Sequence, residues 1–118
     1  MIDDVKIPAD DALEQAFRQG FEKGKTEDKR IIDIVYHYGF ISQCDIMIEE
    51  CAELTQAICK MRRCYSPEIN ENLLEEIADV FIMVRQLRVV FGMNNIDKIV
   101  EQKLDRQMQR IAEEREQK

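Results

Sequence analysis

The chain has 118 residues, of which 45% are hydrophobic and 35% charged, with a net charge of -7. That length bounds one domain with a modest core. The balance excludes a disordered chain, and the acidity speaks against a nucleic-acid backbone as partner. With only 4 Gly and 2 Pro, and few β-branched clusters, the pattern predicts an all-α fold, a bundle of four to five helices. We divide it into an N-terminal arm and helix over residues 1–26 and a helical domain over residues 27–118. The start, Met1-Ile2-Asp3-Asp4, leads into no apolar secretory segment. The longest apolar run, Ala78 to Val84, contains Asp79 and stops at Arg85, too short to span a bilayer. The expectation is a cytoplasmic protein with neither a membrane nor a nucleic-acid partner.

In chain order, a first helical pattern begins at Asp10 or Asp11, with Leu13, Ala16, Phe17 and Phe21 on one face, and ends near Gly20–Gly24. A second runs from about Glu27 to Tyr38, with Ile31, Ile32, Val35 and Tyr38 as its apolar face and Gly39 as its stop. The third is expected from about Ser42 to Arg63. Met47, Cys51, Leu54, Ile58 and Met61 recur at helical spacing and form its predicted core stripe. Lys60, Arg62 and Arg63 complement the dipole at its end.

Cys64 to Asn70 is a loop in which Ser66-Pro67, or Asn70, can cap the next helix. That fourth helix reaches Phe91, and Gly92 ends it. Leu73, Leu74, Ile77, Val80, Phe81, Val84 and Leu87 make a wide apolar face, with Asn72, Glu76, Asp79, Met83 and Gln86 in the adjacent row. Asn94 or Asn95 is the predicted cap of the last helix, about Ile96 to Glu116. Its stripe is Ile96, Val100, Leu104, Met108 and Ile111, beside a cationic row of Lys103, Arg106 and Arg110. The cysteines Cys44, Cys51, Cys59 and Cys64 lack zinc-site spacing and read as small hydrophobes. His37 is the one histidine, with no partner residue of its own kind for chemistry.

Two stretches break the ordinary pattern of a core helix. Ile48-Glu49-Glu50-Cys51-Ala52-Glu53-Leu54 and Leu74-Glu75-Glu76-Ile77-Ala78-Asp79-Val80 carry acids within apolar runs. Glu50 and Glu53 are three apart, as are Glu76 and Asp79, so each pair shares a helix face. Packed side by side, the two helices would pool four carboxylates, with Glu49 close by. Two carboxylates ~5 Å apart repel by about 3 kcal/mol at an effective dielectric of ~20. A divalent cation relieves that repulsion, and an all-oxygen donor set selects Mg²⁺ or Mn²⁺ over zinc or copper. Lys103, Arg106 and Arg110 could then hold phosphates polarised by the metal. A carboxylate-bridged di-iron centre is excluded, because it requires a Glu-x-x-His pair on each of two helices.

Glu49-Glu50-Cys51-Ala52-Glu53, then 22 intervening residues, then Glu76-Ile77-Ala78-Asp79, resembles the motif pair of the MazG-like all-α nucleoside triphosphate pyrophosphohydrolase family. The similarity extends from about Tyr38 to Arg110. It implies cleavage of a nucleoside triphosphate between the α and β phosphates, giving a monophosphate and pyrophosphate. The resemblance implies metal ligation by Glu50, Glu53, Glu76 and Asp79, and a catalytic role for Glu49, Glu50 and Glu53. Lys103 and Arg110 match the ends of the family's K-x-x-x-N-x-x-R pattern, with Gln107 standing in the asparagine position. It also implies a homodimer or homotetramer with sites completed between subunits, acting in nucleotide-pool housecleaning. The competing expectation, from another class, is a catalytically silent helical interaction module that retains a structural cation site.

Overall fold

The computed structural model describes residues 27–117. The arm and helix expected over residues 1–26 lie outside them. Four helices follow: α1 (Lys29–Tyr38), α2 (Phe40–Arg63), α3 (Pro67–Phe91) and α4 (Met93–Glu116). No strand occurs among the described residues, so the all-α expectation holds. No described helix is long and apolar enough to cross a membrane.

The helix ends follow local chemistry. Asp28 caps α1, its Oδ1 accepting from the Arg30 backbone N–H at 2.9 Å, which satisfies one orphan donor of the first turn. Gly39, at φ +89°, closes α1 by donating to the Val35 carbonyl at 2.8 Å. The same residue opens α2, its carbonyl accepting from Gln43 N–H at 3.1 Å. A positive φ of this kind favours glycine, and it moves the start of α2 from the expected Ser42 to Phe40. Ser66 caps α3 through Ile69 N–H at 3.2 Å, with Pro67 in the first turn, as expected. The start of α4 is a correction. Gly92, at φ +102°, is its N-cap, so Asn94 and Asn95 lie inside the first turn and cap nothing.

The core is small. Ile31, Ile32 and Val35 of α1 bury against Val89 and Val90 of α3, with Phe40, Ile82 and Met93 packed alongside. Phe40 and Phe91 close one end of the α2–α3 pair with an edge-to-face ring contact at 5.6 Å. A charge cluster locks the same end. Glu27, whose side chain is 6% exposed, accepts from both Arg85 and Arg88. Arg88 in turn grips Asp97 of α4 with a fork of bonds at 2.7 and 2.8 Å. Pairing of this kind is what permits a carboxylate to be buried.

The inward face of α2 and α3 differs from the sequence expectation. On α2 the buried residues are Gln43 and Ala57, while Cys51 and Ile58 of the expected stripe are exposed. On α3 the polar row turns inward, with Gln86 buried, whereas Leu74, Ile77, Phe81 and Val84 face outward. The physical reason is coverage. Among the described residues only α1 and α4 pack on the α2–α3 pair, and Leu74, Ile77, Phe81 and Val84 of the wide apolar face stay exposed.

Hydrogen bonds from Arg85 (its Arg85 Nε–Glu27 Oε1 contact is 3.1 Å) hold the Glu27 carboxyl below its ordinary range, with Arg88 adding attraction. A depressed carboxyl contributes stability that is present above its unfolded value near 4.5 and is lost as pH falls through the lower folded value. Glu27→Gln is therefore expected to lower stability by about 1–3 kcal/mol at pH 7. The wild-type advantage should shrink progressively as pH falls below 4.5, measured by urea unfolding at several pH values.

Candidate metal centre

Antiparallel packing of α2 on α3 brings the two acid pairs together. Glu50, Glu76 and Asp79 each offer a carboxylate oxygen, and these oxygens all lie within 4.8 Å of one another. Glu53 acts on both Glu50 and Glu76 and touches the Glu76 carboxyl. All four metal-ligating residues expected from sequence thus meet across one helix pair, although Glu53 lies outside the tightest triad.

The cross-helix partners define the register. Glu50 meets Asp79 and Glu53 meets Glu76, so that paired residue numbers sum to a constant. Buried Ala57, 0% exposed, sits one turn beyond Glu53 and lets the backbones approach.

Burial and like charge act together here. The Glu50 carboxyl is pushed up to about 7, first by burial, then by the charges of Glu53, Asp79 and Glu76, and by its contact with Asp79. Glu76 is also raised, by burial first and then by the charge of Glu53 and the contact with it. Among the described residues, the charges that act on both are those of other carboxylates. Oε2 of Glu50 and Oε2 of Glu76 are shut off from solvent and meet no hydrogen-bond donor. When ionised, neighbouring carboxylates can only accept, so each needs a donor or a cation. Two orphaned oxygens facing further carboxylates fit a hard divalent cation well.

The other expected site residues fall elsewhere. Glu49 is exposed and outside the triad. Lys103, Arg106, Gln107 and Arg110 are exposed along α4. Among the described residues, no hydrogen bond or ion pair joins α4 beyond Asp97 to another helix. The cationic row therefore does not reach the acids within one chain. Gln43 and Gln86, both buried, were not marked as site residues by the sequence. Their signal was present, since each lies seven residues from an acid of the cluster, Glu50 and Asp79.

Comparison with protein-family models, curated proteins and solved structures finds no match. The functional reading therefore rests on the residues and their geometry.

The raised Glu50 carboxyl makes the metal-free chain sensitive to pH. The folded state keeps a proton that the unfolded chain releases near 4.5, so stability falls as pH rises from about 4.5 to 7. At pH 8, Mg²⁺ should raise the melting temperature by several degrees, and at pH 5.5 by less, because protons compete for the same oxygens. Glu50→Gln should raise the metal-free melting temperature at pH 8 and abolish the Mg²⁺ shift. Thermal scans with Mg²⁺ and with EDTA check both.

Proposed function

We propose that this chain is a Mg²⁺-dependent nucleoside triphosphate pyrophosphohydrolase of the MazG-like kind. The observation that carries the reading is the pair of orphaned inner oxygens, on Glu50 and Glu76, within a four-carboxylate cluster between two helices. A surface acid patch would be hydrated and would leave no such oxygens. Glu50, Glu53, Glu76 and Asp79 are the residues that would hold Mg²⁺, or Mn²⁺ in its place. Such an ion supplies charge stabilisation on phosphoryl oxygens and an acidified water.

The chain's own part is positional and proton-handling. Hydrolysis of the α–β anhydride adds one water: the hydroxyl goes to phosphorus, the anhydride bond breaks, and pyrophosphate leaves from the nucleoside monophosphate. The water's proton goes to a carboxylate. Glu49, the acid of the motif not assigned to the ion and open to solvent, is suited to accept it.

The exposed apolar faces support an assembly of copies of this chain. α4 buries none of its residues, and Val100, Leu104 and Met108 lie in an exposed line. Leu74, Ile77 and Phe81 of α3 are equally uncovered, with Phe81 59% exposed. Exposed apolar surface of this continuity marks an interface, and a second copy of the chain supplies a matching surface of the same kind. In a homodimer or homotetramer, Lys103, Arg106 and Arg110 of one subunit would face phosphates held at the acids of another. That arrangement explains why the cationic row is far from the acids within one chain.

The test is pyrophosphate release from a panel of ribo- and deoxyribonucleoside triphosphates, with Mg²⁺ and then with EDTA. Release should require the metal. Glu53→Gln and Asp79→Asn should each lower kcat/KM by about 100-fold or more, with helical content unchanged by circular dichroism. Mg²⁺ stabilisation without release from any member would instead mark a catalytically silent module. Leu104→Glu should reduce the mass of the assembly in light scattering and lower activity with it.

A further inference from the structure

The acid cluster occupies only part of the seam along which α2 packs on α3. The register that pairs Glu50 with Asp79 and Glu53 with Glu76 continues in both directions. Further along, the ring contact of Phe40 with Phe91 confirms that the two helices stay together. Between those fixed points the same register sets Ile46 level with Met83, and Gln43 level with Gln86. Seven residues separate Gln43 from Glu50, and Gln86 from Asp79. Seven residues are nearly two turns, so the amides share the seam-facing side of their helices with the acids, about 10 Å along.

We propose that Gln43 and Gln86 form the base-reading end of the substrate site. The proposal rests on the pyrophosphohydrolase reading above and adds the part of the substrate that the acids cannot recognise. The three levels match the parts of a nucleotide. The carboxylates take the phosphate end through the cation. The level of Ile46 and Met83 is apolar and half-buried, suited to sugar carbons and a base face. The two carboxamides take the polar edge of the base.

The state of Gln86 is what singles out this level. It is 2% exposed, yet its Oε1 meets no donor. Its Nε2 reaches only the Met83 sulfur, at 3.8 Å, and a thioether is a weak acceptor. Gln43 is 6% exposed and is level with it in the register of the other helix. A buried polar group is ordinarily satisfied, so an unspent carbonyl beside a weakly held amide leaves hydrogen bonding for a ligand. A carboxamide offers a donor and an acceptor side by side, the complement of a base edge that carries both. The Gln86 carbonyl is closed off from solvent, as are the inner oxygens of Glu50 and Glu76. Met83 is the group that must move to open the level, and its unbranched side chain has the freedom to do so.

The test uses the full chain with Gln86→Met and Gln43→Met, near-isosteric changes that remove only the amides. kcat/KM is measured for nucleoside triphosphates of all four bases, and nucleotide binding is measured by calorimetry with Ca²⁺ in place of Mg²⁺. Inorganic tripolyphosphate serves as a base-free competitor. The wild type should prefer one base. Each variant should lose roughly 5- to 150-fold of that preference, while competition by tripolyphosphate stays unchanged. Gln86→Glu, which keeps the acceptors but loses the donor, should alter which base is preferred. Folded methionine variants that retain the wild-type preference in turnover and in binding would overturn the base-reading assignment and leave the pyrophosphohydrolase reading intact. A wild type that binds no nucleotide would overturn both. Base-selective binding without turnover would support the amide level and overturn the enzyme reading alone.

Discussion

Everything in this structure turns on the decision to pack like charge against like charge. The antiparallel register of α2 and α3 places Glu50, Glu53, Glu76 and Asp79 together. Among the described residues, the groups that act on Glu50 and Glu76 are other carboxylates. A sequence under pressure only to fold would separate these groups or pair them with Lys or Arg. Elsewhere the same chain does so, where Glu27 is buried against Arg85 and Arg88. The contrast between a neutralised acid at one end and un-neutralised acids further along the helix pair is the strongest sign of purpose in the fold.

Two consequences follow from that register. Ala57 is fully buried because the backbones must approach closely for the acids to converge. Beside the acids, Met47, Leu54, Leu73, Val80 and Leu87 are half-buried, while Ile58, Leu74, Ile77, Phe81 and Val84 stay exposed. The partial core of Ile31, Ile32, Val35, Val89 and Val90 covers only the end near the Glu27 clamp. The exposed apolar residues of α3 and α4 are thus the counterpart of the acid cluster, two sides of one choice of helix rotation.

Much of this was legible in the sequence, and the rest was hidden for definite reasons. Gly39, Gly92 and Ser66-Pro67 announced helix ends, because backbone freedom and capping are local properties. The acid pairs were legible because three-residue spacing fixes a face before any packing is known. The rotation of α2 and α3 was not legible. Hydrophobic periodicity marks a face that seeks burial without saying which chain buries it, so Ile58, Ile77 and Phe81 looked like core. Asn94 and Asn95 looked like caps, yet the conformation of Gly92 starts the helix earlier. The Glu27–Arg88 contact joins positions 61 apart, beyond the reach of any local pattern.

Three residues, Cys64 to Ser66, join α2 to α3, so the acid-bearing hairpin closes over a short loop. Closing a short loop loses less chain entropy than closing a long one, and local contacts form sooner than distant ones. The clamp from Glu27 to Arg88 is the distant contact. The hairpin costs less chain entropy to close than that clamp, and its carboxylates repel as it closes. Counter-charge that reaches the acids acts on the speed of assembly as well as on its final depth, and the ionic composition of the medium becomes part of how this chain finds its shape.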